Sequence, residues 1–412
     1  MSLESKIEQL IQDNNEQELL DLIETIKASH SVEDKLQVAA YLEIIGYFSL
    51  AKDLYLDLAP SYPDLYINLA SIASEDGDME QAFFYLEQIP KDSPDYLAAL
   101  MGKAELYQLE GLPDVARDKI NEALALSDDP LLVFAKAELD LEIGDDQAAI
   151  KSYASLNYDD IYQQTGISTY ERIGQAYARL GKFQAAIEFL DKALELNYED
   201  HILLELALLH MEEGNYQKAN LYFKQLQTLS PDFEGYEYPY AQSLHEENQT
   251  QEALEVLKTG LAKNPFDGRL KLLAAQFSYE LHDSKQAESY LLSALEDGEE
   301  EEEILLPLTN LYLEEERYQD ILALDREDLT SVLTRWNMAR AYEAEEELEG
   351  ALEKYRELLP DLKNNPEFLE SYIHLLRTMG YPEEAKEWAK SYMILVPDDL
   401  NMQDFLNQED SF

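Results

Sequence analysis

The amino-acid sequence predicts an all-α protein, built as a solenoid of repeated antiparallel helix pairs. Three observations support this prediction: a low glycine and proline content, helical spacing of the apolar residues, and a motif that recurs about every 34 residues. The 412 residues include only 15 Gly and 14 Pro, which disfavours a fold with many β-turns. Hydrophobic residues make up 46% of the chain, enough to bury a continuous core.

The segment 167–198 shows the repeating unit most clearly. Its apolar residues recur at helical spacing on both sides of Gly181, which interrupts the pattern and predicts a turn. Gly174 precedes this turn and Ala186 follows it. Because both residues are small, two antiparallel helices can approach closely where they cross. The segment is therefore predicted to form one helical hairpin.

An alanine of the second helix marks the same unit along the chain. Successive marker alanines are 31 to 37 residues apart, except for one gap of 64 residues after Ala287. The long gap contains a degenerate unit, which places Ile321 at the small position. A glycine lies about five residues before most of the markers, where the turn is expected. The markers are Ala51, Ala82, Ala116, Ala149, Ala186, Ala219, Ala253, Ala287, Ala351 and Ala385.

The order of apolar, small and turn residues in each unit resembles the tetratricopeptide repeat (TPR). Residues 167–200 match that motif best, through Gly174, Tyr177 and Ala186 among others. As a whole, the chain resembles the long cytoplasmic YpiA-like TPR proteins of Gram-positive bacteria. The resemblance implies a right-handed superhelical solenoid of antiparallel helix pairs, with about 11–12 hairpins, whose first helices line a concave groove.

The predicted chain divides into five segments. These are an N-terminal helical hairpin or cap, two blocks of TPR repeats, a block that holds the degenerate unit before further repeats, and a C-terminal capping helix with a frayed tail. Their bounds are 1–31, 32–166, 167–301, 302–397 and 398–412. Two seams, at 157–166 and at the acidic run 296–303, interrupt the period. Since each repeat of a solenoid contacts only its neighbours, these seams need not separate independent domains.

The formal net charge is −55, from 86 acidic and 31 basic side chains. Such a surface repels phosphate backbones and anionic membranes. We therefore expect protein or peptide partners that are neutral or basic overall, with no nucleic-acid binding and no membrane insertion. The sequence has neither a signal peptide nor an apolar run long enough to span a membrane, so we expect a cytoplasmic location. Homo-oligomerisation is left open.

The sequence contains no motif for catalysis. It has no cysteine, no glycine-rich phosphate loop, and no HExxH or GxSxG motif. The six histidines fall at different repeat positions, and His210 takes the place of a tyrosine that the repeat normally buries. We therefore expect no catalytic residue, no metal ion, no cofactor and no enzyme activity.

The resemblance to TPR proteins also implies which first-helix side chains line a peptide-binding groove. On this chain those positions combine apolar, aromatic, amide and arginine side chains, which suit an extended or helical peptide. The arginines either bind a carboxylate of the partner or neutralise neighbouring glutamates. The predicted residues are Glu171, Gln175, Arg179, Leu204, Leu208, Met211, Tyr238, Gln242, His245, Arg269, Leu272, Gln276, Tyr279, Trp336, Arg340 and Arg377.

The predicted function is that of a protein–protein interaction scaffold or adaptor, which binds a peptide or helix of a partner in the groove. The alternative is a peptide-responsive regulatory TPR protein. Such regulators carry a separate effector module, and residues 1–30 are too short to supply one. Recognition of chaperone C-terminal tails is disfavoured, because no repeat combines the Lys and Asn that form the family's carboxylate clamp.

Overall fold

The structure of the protein is a computed structural model that describes residues 3–298, 301–326 and 328–407. Over these ranges it consists of 26 α-helices joined by turns, without a β-strand. The predicted all-α fold is therefore confirmed. The helices belong to two compact units, Met1–Glu213 (unit 1) and Gly214–Phe412 (unit 2).

Unit 1 contains six packed helix pairs: α1 with α2, α3 with α4, α5 with α6, α7 with α8, α9 with α10, and α12 with α13. Helix α11 is an insertion that packs against α9 and α12. The bounds are α1 Leu3–Gln12, α2 Glu16–Ser29, α3 Val32–Ile44, α4 Phe48–Leu58, α5 Leu65–Glu75, α6 Met79–Glu87, α7 Tyr96–Leu109, α8 Pro113–Leu124, α9 Pro130–Ile143, α10 Asp146–Ala154, α11 Tyr158–Thr165, α12 Thr169–Arg179, α13 Phe183–Leu196 and α14 Asp200–Glu212.

Unit 2 contains five packed pairs: α16 with α17, α18 with α19, α20 with α21, α22 with α23, and α24 with α25. Helix α26 packs against α25. The bounds are α15 Tyr216–Leu229, α16 Glu237–Glu246, α17 Thr250–Lys263, α18 Gly268–Glu280, α19 Ser284–Glu296, α20 Glu301–Glu314, α21 Tyr318–Leu322, α22 Val332–Ala344, α23 Leu348–Leu362, α24 Pro366–Thr378, α25 Pro382–Leu395 and α26 Leu400–Asn407. The described parts of the two units thus hold eleven packed pairs, in agreement with the predicted number.

The marker residues lie in the interior of these pairs, and the marker Ala219 of α15 is buried as well. Each marker alanine is at most 1% exposed, and so is Ile321 of the degenerate unit. The crossing of α12 and α13 shows why small residues are needed. A Cβ added to Gly174 would lie 2.6 Å from Leu190 Cγ and 3.2 Å from the Ala186 carbonyl oxygen. The predicted close approach of Gly174 and Ala186 is therefore confirmed.

The turn inside each pair requires one residue in the left-handed region of backbone space. Gly181 fills this place between α12 and α13 with φ of +67°. Four pairs of unit 2 lack that glycine, yet a residue five before the marker adopts the same conformation. These residues are Asn248, His282, Glu316 and Glu346, with φ between 57° and 62°. The turn geometry therefore persists where the glycine is absent, at a conformational cost of about 1 kcal/mol per residue.

The division between the compact units falls at Glu213–Gly214, and neither predicted seam lies there. Residues 157–166 form α11 with its two caps: the Asn157 side chain accepts the Asp160 N–H, and Gly166 ends the helix in the left-handed conformation. This additional helix explains the 37-residue repeat. Residues 299 and 300 of the acidic run, and the predicted frayed tail beyond Asn407, lie outside the described residues. The predicted segment bounds therefore stay predictions.

Candidate functional site

In unit 1 the predicted groove residues of α12 belong to a dense polar network. The Gln175 amide donates to Glu171 at 3.2 Å and to Glu205 at 3.4 Å. Arg172 donates to Glu138 at 3.1 Å, from the same helix. Except for Glu171, these side chains border an open cavity of about 540 Å³. Most of its polar groups already have partners within the protein.

Arg179 is one of these occupied groups. Its guanidinium donates to the Leu141 carbonyl oxygen at 2.7 Å and lies 2.8 Å from a carboxylate oxygen of Asp146. The interpretation that the groove arginines neutralise neighbouring acids therefore holds for Arg179. The predicted residues of α14, Leu204, Leu208 and Met211, add a partly exposed apolar surface in the same unit.

Glu205 is the least favourably placed carboxylate of this network. Burial raises its pKa, the Gln175 hydrogen bond opposes that rise, and the negative charge of Glu171 adds to it. Within the described residues no lysine or arginine pairs with Glu205 in the way that Arg172 pairs with Glu138, and the nearby His201 lowers the pKa only in part.

In unit 2 the predicted residues of α16 and α18 form two groups. Arg269 is largely exposed, lies 3.9 Å from Asp267, and stacks its guanidinium over the Tyr238 ring at 5.8 Å. Gln242 donates to the Tyr238 hydroxyl at 3.4 Å. His245 stacks on Phe277 at 4.5 Å between ring centroids, so its ring contributes to packing.

The second group surrounds a cavity of about 750 Å³ between α18, α19, α20 and α22, which we name the unit 2 cavity. Four predicted groove residues meet here: Leu272, Gln276 and Tyr279 from α18, and Arg340 from α22. The floor is apolar and the rim is polar. The lining is completed by Ala275, Ala287, Leu291, Glu303, Pro307, Asn310, Leu311, Leu313 and Glu314.

Helix α20 supplies a stripe of the lining that the repeat motif did not predict. Pro307, Asn310 and Glu314 recur at helical spacing on one face of α20. The degenerate repeat concealed them, because its marker is Ile321 instead of alanine. The repeat register does hold a signal, since Asn310 lies eleven residues before Ile321. Gln276 and Arg340 lie eleven residues before their own markers.

One predicted groove residue, Trp336, needs correction. Trp336 is only 8% exposed and packs edge-to-face on Phe368 at 5.7 Å, so it belongs to the core of unit 2. It is one position out of register with the aromatic residue of the motif, and α22 turns its ring inward. Arg377 is exposed and lies over the Phe405 ring of α26 at 4.3 Å, so its place in the groove stays a prediction. Neither residue lines the unit 2 cavity.

Over the described ranges, no group of three or more His, Asp or Glu side chains is arranged to hold a metal ion. The helices described here also include none that is both long and apolar enough to cross a membrane.

Family models match five parts of the chain. A model of YpiA-like C-terminal tetratricopeptide repeats matches residues 333–399, and a model of YpiA-like tetratricopeptide repeats matches 108–161. General tetratricopeptide-repeat models match 63–89, 167–197 and 210–277. These matches agree with the marker spacing in both units.

A curated protein, the TPR repeat-containing protein YpiA of Bacillus subtilis (strain 168), is 26% identical over 342 residues. The alignment covers 82% of this chain and 80% of that protein. Among solved structures, a tetratricopeptide repeat protein from Parabacteroides merdae is 20% identical, with a TM-score of 0.42, and covers 61% of this chain and 98% of its own. MamA from Desulfovibrio magneticus is 18% identical, with a TM-score of 0.35, and covers 43% of this chain and 94% of its own.

Proposed function

Because the chain is a YpiA-like tetratricopeptide-repeat protein, we propose that it acts as a protein–protein interaction scaffold or adaptor. In this proposal a partner supplies a peptide segment or a helix, which binds across the first helices of unit 2. The observation that carries the proposal is the unit 2 cavity, where Leu272, Gln276, Tyr279 and Arg340 meet.

The size and lining of the cavity support this proposal. Ligand-binding clefts usually enclose about 300–1,000 Å³, with an apolar lining and a few polar groups that fix orientation. The unit 2 cavity, at about 750 Å³, falls in this range. Leu272 and Leu291 supply apolar floor, while Gln276 and Asn310 offer amide groups at the rim. Such a site suits one large apolar anchor of a partner, held in place by main-chain hydrogen bonds.

Site-specific photocrosslinking in cells tests the proposal. A photoreactive phenylalanine analogue replaces Gln276 in one variant and Leu221 in a control variant. Leu221 belongs to α15, is 68% exposed, and does not line the cavity. We expect discrete adducts with other proteins from the Gln276 position and none from the control.

The Leu272→Trp variant serves as a second control, because its indole would fill part of the cavity from the partly exposed α18 position. It should remove the adducts of the Gln276 position while the thermal unfolding curve stays cooperative. Equal adducts at both positions would refute the cavity as the binding site. Adducts with short free peptides only would refute the scaffold and favour a peptide-responsive regulator.

A further inference from the structure

The arginines of this acidic protein differ in whether they have an interaction partner within the protein. The sequence contains ten arginines, and eight of them have a carboxylate oxygen within 4.0 Å in the described structure. Arg377 instead lies over an aromatic ring. Within the described residues, Arg340 has no ion pair, no hydrogen bond and no ring contact. The eight paired residues are Arg117, Arg172, Arg179, Arg269, Arg317, Arg326, Arg335 and Arg356.

The absence of a partner at Arg340 is informative because acids outnumber cations by 86 to 31. A guanidinium stays protonated at every physiological pH and presents its N–H donors in a planar fork that matches a carboxylate. Arg340 is exposed on α22 and lines the unit 2 cavity. It is therefore an unused, charged donor at the rim of an apolar site.

The floor beside Arg340 accepts a large apolar side chain. Leu272, Ala275, Leu291 and Leu311 form it, together with the ring of Pro307. Pro307 lies inside α20 and lacks an N–H. The carbonyl oxygen of Glu303, four residues earlier, therefore lacks the helical hydrogen bond that a residue with an N–H at position 307 would donate.

Two glutamates on the rim limit how acidic the ligand can be. Glu314 accepts a hydrogen bond from the Tyr279 hydroxyl, which raises the pKa of that tyrosine. Glu303 also lines the cavity. Like-charge repulsion from both disfavours a ligand with several acidic groups, so one carboxylate at Arg340 and an otherwise neutral or basic segment fit best.

The ligand is more easily accommodated as an internal segment than as a chain end. Gln276, Asn310 and Arg340 hold equivalent positions on three successive first helices, and Gln242 and His374 continue the series in the flanking repeats. Packed helices lie about 8–10 Å apart, which three residues of an extended chain also span. Helix α20 packs against α22, so an extended peptide can contact Asn310 and Arg340 with residues about three apart.

We infer that the unit 2 cavity binds an internal, extended peptide segment of a partner, in which a large apolar residue enters the cavity and a neighbouring Asp or Glu side chain binds Arg340. This inference rests on the proposed scaffold function and defines the ligand of the same site. The bidentate pairing of guanidinium and carboxylate gives the site its selectivity.

Peptide display on the purified full-length protein tests this inference. The library presents random peptides of about twelve residues, which can span roughly 40 Å, with both ends fused to carrier sequence. We expect enriched sequences in which an acidic residue lies next to Leu, Ile, Met or Phe. Selection on the Arg340→Glu variant should yield peptides with Lys or Arg in place of the acidic residue. The Arg340→Gln variant should bind the peptides selected on the wild-type protein with an affinity lower by about tenfold or more.

The matched control is Lys192→Glu, which makes the same change in charge on α13 of unit 1 and should leave the selection unchanged. Enrichment without an acidic preference, or a preference that survives Arg340→Glu, would overturn the inference and leave the scaffold function standing. Tighter binding of peptides with a free C-terminal carboxylate than of internal segments would also overturn the inference. Failure of every variant to enrich any peptide would count against the scaffold function at this site, and the inference would fall with it.

Discussion

At the residue scale, tyrosine hydroxyls donate hydrogen bonds to some of the many acidic side chains. Tyr55 donates its hydroxyl proton to Glu43 at 2.7 Å, and Tyr312 donates to Glu288 at 2.9 Å. Burial and the nearby Glu288 carboxylate raise the pKa of Tyr312 to about 12. At Glu43 the phenol donates where no lysine or arginine of the described residues does, whereas Glu288 also binds Arg317. Within the described residues neither a phenol nor a lysine or arginine pairs with Glu205; the Gln175 amide donates to it, and the nearby His201 lowers its pKa.

We predict that Glu205→Gln stabilises the protein at about pH 7. The raised pKa of Glu205 means that its ionised form opposes folding, so the penalty is present above the folded-state pKa. It disappears as the pH falls below the ordinary glutamate value of about 4.3. The gain in unfolding midpoint should therefore be largest near neutrality and shrink in acid. Thermal unfolding across this pH range measures it.

Glu288→Gln provides the matched control, with the opposite sign. The hydrogen bond from Arg317 lowers the pKa of Glu288, so its charge stabilises the fold above the unfolded-state pKa and loses that effect as pH falls through the folded-state value. This variant should lower the unfolding midpoint at neutral pH. If both variants shifted stability in the same direction, the environment assigned to Glu205 would be wrong.

At the element scale, the helix pairs depend on how closely their two helices approach. Gly174 of α12 is buried against Leu190 and the Ala186 backbone of α13. Glycine lowers intrinsic helix stability by about 1 kcal/mol relative to alanine. The sequence retains it here because the crossing leaves no room for a methyl group. Gly102 of α7 differs, because its added Cβ would meet only the flexible end of Leu86, at 3.2 Å.

We predict that Gly174→Ala lowers the free energy of unfolding by about 1–3 kcal/mol, in spite of the better helix propensity of alanine. The same change at Gly102 should be neutral or stabilise by up to about 1 kcal/mol, since Leu86 can move aside. Urea unfolding of both variants separates the two effects. A stabilised Gly174→Ala protein would refute the tight crossing of α12 and α13.

At the scale of the whole molecule, the net charge of −55 opposes compactness in both units. Surface ion pairs, such as Lys192 with Glu195 at 3.4 Å, involve exposed side chains and contribute little. Long-range repulsion between unpaired acids is therefore expected to dominate the response to ionic strength. Raising the salt concentration shortens the range of this repulsion, from about 30 Å at 0.01 M to about 8 Å at 0.15 M.

We predict that the protein melts at a higher temperature in 0.15 M NaCl than in 0.01 M NaCl, concentrations that correspond to about 8 Å and 30 Å of screening length. Tetramethylammonium chloride at the same ionic strength should act equally, which excludes specific sodium binding. Differential scanning calorimetry gives the comparison. A lower melting temperature at high salt would show that attractive ion pairs outweigh the repulsion.

The sequence by itself determined the repeat, the helix pairs and the buried marker positions. These features follow from helical periodicity and from small residues such as Gly174 and Ala186, whose effect lies within one hairpin. It also placed Leu272, Gln276, Tyr279 and Arg340 on first helices. In addition, it identified the turn position five residues before each marker, which His282 and Glu316 occupy without glycine.

Only the tertiary structure shows that Arg340 has no interaction partner within the described residues. Arg179 and Arg340 are both first-helix arginines in the sequence, yet Arg179 binds Leu141 and Asp146, more than thirty residues earlier in the chain. Trp336 likewise turned out to be core. The unit 2 cavity depends on the spacing of four helices, and such spacing is set by the packing of side chains that are distant in sequence. Periodicity therefore gives the elements, and packing determines which of their polar groups a partner can reach.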